Sequence, residues 1–579
     1  MIGLWIGLVA GILEVLIRAV QHFLFGKLIF VGADFWWGAP LVSAVLVAVP
    51  SLLVGVPLAR VAGRFGPQLR FAIPLFLAGF GLLLLVPHVA KLALAVVAAG
   101  IAVQGGRPLA RHAAGFDRVV RKTVVVLVLL PAGLFAIGYA LRALRQAREA
   151  HVAAADRPNV LLLVLDTVRA IELGLYGFRP TTSPYLDATG AQGVVFDQAF
   201  STAPWTAPSH AGLFTGHRAT ELSIDWTTSL DGRFPTLAEE LRRMGYATAG
   251  LVANTEYASA ETGLARGFEH YEDYRLSTTQ VWRWTGLSRF IASLIPALRH
   301  APDSELPDRI GAADINRRFL RWLDAHPARP FFGFLNYFDA HAPYFPPEPF
   351  WGRYLPGEPR RPHVVRPGSW SPQAVITGRR AYEGGISALD EQIAALLDSL
   401  RARLLLRSTL LVIVGDHGEE FFEHGVMGHG NSLYAPSVRV PLLLVWPGHI
   451  PMGVRVSAPV SLASVPATIL DLLGTSGPFP GPSLAGYWSG EEPAPVAVTS
   501  AVSFASNLPK SYPVSGGGLV SVRLGRYRWV SSPRDTLGEL YDHEKDPLEA
   551  RNLAREAWAA PLLRALRDSA RVLLSRKIH

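Results

Sequence analysis

The sequence predicts a multi-pass α-helical membrane domain followed by an α/β domain that carries a small C-terminal subdomain. Long apolar runs crowd the first 145 residues of the 579-residue chain. After Asn159, short apolar runs that end in charged residues alternate with helical patterns, as in a sheet whose strand ends carry the site. Positive charge is concentrated in the apolar part: residues 1–148 hold 14 Lys+Arg against 3 Asp+Glu, and the remainder is nearly balanced. A nucleic-acid binder needs its basic patch on the folded domain, so this distribution excludes nucleic acid as a partner. With no cysteine there is no disulfide and no thiolate metal site.

The apolar runs are Ile2–Phe25, Trp37–Leu58, Phe71–Val103 and Thr123–Leu141. The third exceeds the roughly 20 residues of one spanning helix and is interrupted by Pro87, His88 and Lys91, so it reads as two short spans. Five spans put the basic loop of Arg60, Arg64 and Arg70 on the same side as that of Arg107, Arg111, Arg118, Arg121 and Lys122. The positive-inside bias assigns that side to the cytoplasm and the large C-terminal part to the outside. Four spans would separate the two loops. Arg142, Arg145 and Arg148 oppose the assignment and are read as contacts to lipid headgroups or as the start of a surface helix. Glu14 and Arg18, four residues apart on one helix face, are expected to pair or to line the bundle interior.

Residues 1–145 are thus expected to be the five-span domain, 146–158 a connector, 159–500 the catalytic domain and 501–579 the C-terminal subdomain. Expected strands are Val160–Leu165, Val194–Phe196, Tyr246–Val252, Phe331–Tyr337, Ser408–Gly415 and Pro441–Trp446. Helices are expected at Thr236–Gly245, Tyr382–Leu400 and Trp558–Leu574, a loop at Pro359–Pro372, and an antiparallel strand or hairpin at Leu519–Val530.

Three segments supply candidate chemistry. Asp166 closes the first strand, Asp416 and His417 close a later one, and Thr206 opens a helix between them in sequence. Two carboxylates and an imidazole suit one divalent ion, with Mn, Zn, Mg or Ca all admissible. Contact with such an ion lowers a hydroxyl pKa, which would make Thr206 a nucleophile. Taken singly, Asp166 also reads as a strand-end cap and Thr206 as a helix N-cap.

The runs Asn159–Arg169, Ala203–Gly216, Phe331–Tyr344 and Asp416–Gly430, in that order, resemble the membrane-anchored sulfatase family of alkaline-phosphatase-like enzymes. The resemblance implies a sulfatase-like fold with Asp166, Thr206, Asp416 and His417 as metal ligands. It further implies that His429 contacts the ester oxygens, and that His341 contacts the transferred group or protonates the leaving oxygen. His424 and His210 are further substrate-binding candidates. Tyr541-Asp542, Asp546-Pro547 and Asn552-Leu553 resemble the family's structural C-terminal signature. Three departures stand out: threonine at 206 where many sulfatases oxidise a cysteine to formylglycine, His210 where their motif has arginine, and Thr167 where arylsulfatases have a second acid. A single acid with a threonine nucleophile resembles lipoteichoic acid synthase-like and phosphoethanolamine transferase-like enzymes. Phosphoryl cleavage or transfer through Thr206 is therefore the leading expectation. A sulfuric ester hydrolase and an inactive membrane scaffold are the alternatives. The expected substrate is a membrane lipid or a cell-envelope glycan. The expected location is the bacterial inner membrane, with the catalytic domain on its periplasmic or extracellular side.

Overall fold

The structure is a computed structural model that describes residues 1–148, 157–274, 277–295, 309–326, 329–363, 371–490, 497–504, 508–532, 535 and 537–574. Most of the expected connector at 146–158, much of the Pro359–Pro372 loop, and the side chains of Arg142, Arg145 and Arg148 lie outside the described residues. The chain divides into two compact units, Met1–Ala150 with Tyr274–Asp308, and His151–Asp273 with Arg309–His579.

In the first unit, among the described residues, five helices are long and apolar enough to cross a membrane: Ile2–Leu24, Phe35–Val61, Gly66–Leu83, Lys91–Arg111 and Ala113–Ala140. They make the unit an integral-membrane anchor, and the catalytic unit is extramembranous. The long run does divide around Pro87, with His88 in a left-handed conformation at φ 63°. The second basic stretch departs from expectation. Arg107 and Arg111 are in the fourth helix and Arg118, Arg121 and Lys122 in the fifth, with only His112 between the two helices. Straight-chain Arg and Lys have good helix propensity, so the chain has no local reason to unwind there. Both basic stretches still meet at one end of the bundle, where Arg70 Nη2 donates to Asp117 Oδ1 at 3.1 Å. At that end Phe116 also packs edge-on against Trp5 and Phe71.

The membrane unit takes in a segment from far along the chain. Helices Thr278–Arg283 and Gly286–Leu294 pack into the bundle. Trp284 is buried with Val31, Phe35 and Ala39, and Leu287 with Phe80, Leu94 and Ala98. Glycine makes room for this: a Cβ on Gly38 would sit 2.1 Å from the Trp284 ring. The Glu14 carboxylate, buried in the first span, accepts from the Gly286 amide at 2.9 Å. It thereby caps a helix N-terminus, where negative charge is favoured. Arg18 donates to Gln21 Oε1.

The second unit is built on a mixed sheet of strands β1 (Asn159–Leu165), β2 (Val194–Phe200), β3 (Ala247–Val252), β4 (His270–Glu272), β5 (Phe331–Tyr337) and β6 (Thr409–Gly415). A two-stranded ribbon, β7 (Glu420–Phe421) with β8 (Met427–Gly428), follows β6. Strands β9 (Arg439–Val440), β10 (Leu442–Val445) and β11 (Val454–Ser461) complete the sheet. Its order is β11-β2-β10-β6-β1-β5-β3-β4, with β9 beside β2. The central strands β6, β1, β5 and β3 are parallel and wholly buried, which explains their continuous apolar sequences.

A four-stranded antiparallel sheet, β12 (Val498–Val502), β13 (Leu519–Leu524), β14 (Tyr527–Ser531) and β15 (Glu539–Asp542), carries the helix Ala559–Leu574. It is pinned to the main domain by a buried ion pair. Arg528 Nη1 donates to both Glu549 oxygens at 2.8 Å, and Glu549 Oε2 also accepts from the Ala435 amide at 2.8 Å. Burial opposes the Glu549 charge, yet Arg528 and then His543 hold its pKa down to about 2, from an ordinary 4.5. A depressed carboxylate stabilises the fold above its unfolded pKa and loses that contribution as pH falls through its folded pKa. Glu549→Gln should therefore cost about 3–5 kcal/mol at neutral pH, because it strands the buried Arg528 charge. It should also flatten the acid-induced loss of stability between pH 4.5 and 2. Urea denaturation of the full chain in detergent across that range measures both effects.

Candidate active site

Strand register creates the centre of the site. Leu165 of β1 pairs with Gly415 of β6, so the next residues, Asp166 and Asp416, emerge side by side at the same sheet edge. Asn336 comes from the neighbouring β5, and Asn254 follows β3, whose Val252 pairs with Asn336. Four adjacent parallel strands thus each deliver one polar residue to a single edge. Thr206 is the first residue of the helix Thr206–Thr215, after the extended Trp205. That helix is tied to the sheet by Ser209 Oγ, which donates to the Asp416 carbonyl at 2.6 Å.

The turn after β1 is held against its own preference. Thr167 has φ 62°, a left-handed value uncommon for a β-branched residue. Its amide donates to Asp416 Oδ1 at 3.2 Å, and its carbonyl accepts from Tyr382 Oη at 2.8 Å. Its hydroxyl turns back onto the Asp166 carbonyl at 2.7 Å. Beyond β6, Gly418 has no room for a side chain: a Cβ would lie 1.9 Å from the Pro436 carbonyl oxygen.

Asp166, Asp416 and His417 are fully buried, and their ligand atoms all lie within 4.8 Å of one another. Each carboxylate uses one oxygen on the protein and keeps the other for the centre. Asp166 Oδ2 accepts from Asn254 Nδ2 at 3.0 Å and Asn336 Nδ2 at 3.3 Å, while Oδ1 has no hydrogen-bond partner. Asp416 Oδ1 accepts from the amides of Thr167 and His417, while Oδ2 has none. The histidine tautomer follows from its neighbours. Gly418 O, 3.0 Å from His417 Nδ1, can only accept, so Nδ1 carries the proton. The Nε2 lone pair then faces Asp416 Oδ2 at 3.4 Å, Asp166 Oδ1 at 3.6 Å and Thr206 Oγ1 at 3.3 Å. Asn254 Nδ2 also donates to Thr206 Oγ1 at 3.1 Å.

Electrostatics points the same way. Burial raises the Asp166 pKa to about 6, and burial together with the Asp166 charge holds Asp416 well above the ordinary carboxylate range. Burial, helped by His429, keeps His417 neutral. Two buried anions with free oxygens and a neutral imidazole lone pair fit one divalent cation, which removes the mutual repulsion and satisfies the orphaned atoms.

Around this centre stand the other histidines. His429, partly exposed, donates Nδ1–H to Glu419 Oε1 at 3.0 Å, and its ring lies 4.5 Å from that of His417 and 4.8 Å from that of His341. Burial opposes charge on His429, but the Glu419 carboxylate raises its pKa above the usual histidine value. His341 Nδ1 is held by the Ala342 carbonyl at 2.5 Å, and burial keeps the ring neutral. His210 is fully buried: its Nδ1 donates to the Thr206 carbonyl at 2.9 Å and lies 3.4 Å from Asp416 Oδ2. Its ring packs edge-on against Phe334, and burial lowers its pKa to about 4. His424 stands apart, stacked on Tyr434, with its two nitrogens on Glu420 Oε2 and the Glu549 carbonyl.

Glu172, the next acid along the chain, takes no part in the centre, because it pairs with the buried Arg169 and with Arg379. Asn336 holds Asp166 in place, and its Oδ1 accepts from the Asn254 amide at 2.9 Å. Asn254, which touches both Asp166 and Thr206, is absent from the sequence-based candidates. Its signal was available: it is a polar residue just beyond an apolar strand, as Asp166 and Asp416 are.

Residues 158–475 match the sulfatase family model. Choline-sulfatase of Rhizobium meliloti is 26% identical over 441 residues, covering 69% of this chain and 82% of that protein. Arylsulfatase A of Bos taurus is 27% identical over 455 residues, covering 71% and 83%. Among solved structures, the phosphonate monoester hydrolase of Agrobacterium radiobacter superposes with a TM-score of 0.58 at 22% identity, covering 72% of this chain and 96% of that one. A 2-O GAG sulfatase gives 0.55 at 20%, covering 72% and 93%. These likenesses extend over most of those proteins, and the sheet edge that carries Asp166, Asp416 and His417 lies inside the matched region. With a buried metal-binding triad on this fold, the chain is a membrane-anchored enzyme that belongs to the sulfatase family.

Proposed function

We propose that the enzyme hydrolyses a sulfuric ester on a cell-envelope glycan or lipid headgroup, with Thr206 as the nucleophile. The observation that carries this reading is the convergence of two unpartnered, buried carboxylate oxygens and the His417 lone pair beside the Thr206 hydroxyl. The sulfatases among the relatives support sulfate as the group cleaved. A divalent ion held by Asp166, Asp416, His417 and Thr206 would supply a Lewis acid for the nucleophile and for one ester oxygen.

The chain's own residues do the rest. Asn254 Nδ2 fixes Thr206 Oγ1 through a lone pair, which leaves the hydroxyl proton free to depart. Thr206 Oγ1 attacks sulfur, and the bond from sulfur to the leaving oxygen breaks. The Thr206 proton passes to a neighbouring imidazole and then to the leaving alcohol. His341 suits this role because Ala342 occupies its Nδ1 and Nε2 is left to exchange the proton. His429, its proton favoured by the Glu419 carboxylate, binds the anionic ester oxygens. Water then attacks the Thr206 ester at sulfur, releasing sulfate and restoring the hydroxyl. We assign His210 to positioning the Thr206 backbone and Asp416 rather than to contact with substrate. His424 is assigned to holding the Glu420–Glu549 region. We propose that the catalytic unit lies on the outer side of the bacterial inner membrane, because the two basic stretches that connect spans meet at the Arg70–Asp117 end.

One observation favours a second reading. Residue 206 is threonine in a chain with no cysteine, and Thr167 replaces a second acid. Those features resemble the lipoteichoic acid synthase-like and phosphoethanolamine transferase-like enzymes, and support phosphoryl cleavage or transfer from a phosphodiester or lipid-linked donor. Parallel assays of sulfate and phosphate release from matched ester panels separate the two. Sulfate release supports the first reading, phosphate release without sulfate supports the second, and release of neither with metal supplied removes both. Thr206→Ala should lower turnover by a factor of about 10³ or more, while Thr206→Ser retains much of it.

Asp416→Asn should abolish metal retention, read by inductively coupled plasma mass spectrometry. It should also raise the melting temperature of the metal-free protein, because one of two repelling buried anions is gone. The wild type alone should gain stability on adding metal.

A further inference from the structure

Arg309 is the residue at which the chain re-enters the catalytic unit, and it is built into the site at two points. Its backbone forms an antiparallel bridge with Asn254, the residue that donates to both Asp166 and Thr206. Its guanidinium reaches the irregular turn after β5 that carries His341. Nη1 donates to the Pro343 carbonyl at 3.2 Å, and Nη2 donates to the His341 carbonyl. The guanidinium also lies over the Phe338 ring, 5.4 Å from its centroid. The His341 ring stacks on that same ring, with centroids 3.9 Å apart and planes 22° from parallel. Asp339 ties the turn back in the other direction: its two oxygens accept from the Ala312 amide, three residues after Arg309, at 3.2 and 3.1 Å.

Arginine suits this position. Its planar fork can bridge two carbonyls while lying over a ring, which a lysine ammonium on its flexible stem cannot do. Burial lowers its pKa only to about 10, so it remains a cation at neutral pH and its hydrogen bonds to the carbonyls are charge-assisted. The clamp fixes the backbone of the turn and the ring on which His341 stacks. The Ala342 carbonyl fixes His341 Nδ1 at 2.5 Å. Backbone, ring face and Nδ1 are then all held, which sets the direction of Nε2.

We propose that Arg309 is a positioning residue for the reaction, aiming His341 Nε2 at the leaving oxygen by clamping the turn that carries it. The proton that Nε2 took from Thr206 then forms the O–H bond of the leaving alcohol as the bond from that oxygen to sulfur breaks. This role rests on the proposed one of His341 as proton carrier.

The test compares two esters of the group that the full, manganese-loaded chain cleaves in detergent. One is a 4-nitrophenyl ester, whose phenolate departs without a proton, and the other an alkyl ester, whose alkoxide needs one. Arg309→Met keeps an apolar stem near Phe338 and loses the fork. It should lower kcat/KM for the alkyl ester by a factor of about 10², with a loss about tenfold smaller for the 4-nitrophenyl ester. Arg309→Lys should show the same bias at lower amplitude, and it stands as the test if Arg309→Met fails to fold. His341→Ala combined with Arg309→Met should cost no more than His341→Ala alone, because both act through one group. Equal loss for the two esters, additive losses in the double variant, or loss of manganese from the Arg309 variants overturns the proposal. The bias in His341→Ala without it in the Arg309 variants removes only the role of Arg309. Equal loss for both esters in His341→Ala removes the proton role of His341, and that of Arg309 with it.

Discussion

The structure of the catalytic unit is organised around the repulsion between two buried carboxylates. Asp166 and Asp416 end neighbouring parallel strands in matched register, so the fold cannot form without bringing them together. Water is excluded from both, and only half of their oxygens are satisfied by the protein. Such a pair is costly unless a cation bridges it. The surrounding features hold the pair in place: the left-handed Thr167, the Tyr382 hydroxyl on its carbonyl, the crowded Gly418, and Ser209 on the Asp416 carbonyl. The same contacts place the helix N-terminus that carries Thr206. Nucleophile and metal ligands are therefore parts of one packing problem, and a change in any of these contacts moves them all.

Much of this was legible in the sequence because strand ends are legible. A continuous apolar run closed by an acid, as in Val160–Asp166 and Leu410–Asp416, announces both a buried parallel strand and its working residue. The division of Phe71–Val103 was visible from Pro87, His88 and Lys91. Other features were hidden because they depend on pairing across the fold. The role of Asn254 requires knowing that β3 lies beside β5. His424 shares a motif with His429, but the β7–β8 ribbon turns the two histidines to different partners. The return of Thr278–Leu294 to the membrane unit was unreadable because its helices are too short for a spanning signal. Its burial depends on glycines more than two hundred residues earlier.

The membrane unit has its own polarity. One end gathers Arg70, Asp117 and the aromatic contacts of Phe116, and the other receives the returning helices on Glu14. The chain passes between the two units three times, at 150–151, 273–274 and 308–309. A single-span anchor would be a tether, whereas this arrangement commits an internal segment of the sequence to the membrane unit. An apolar slot beside that segment is a consequence of the same packing, since Gly38 admits Trp284 and Trp284 forms part of the slot wall.

Anomalous X-ray diffraction from crystals of the full chain grown with manganese tests the metal centre most directly. One strong anomalous peak is the expected result, within coordination distance of Asp166 Oδ1, Asp416 Oδ2, His417 Nε2 and Thr206 Oγ1. A peak elsewhere with none among these four atoms, at saturating manganese, would contradict it.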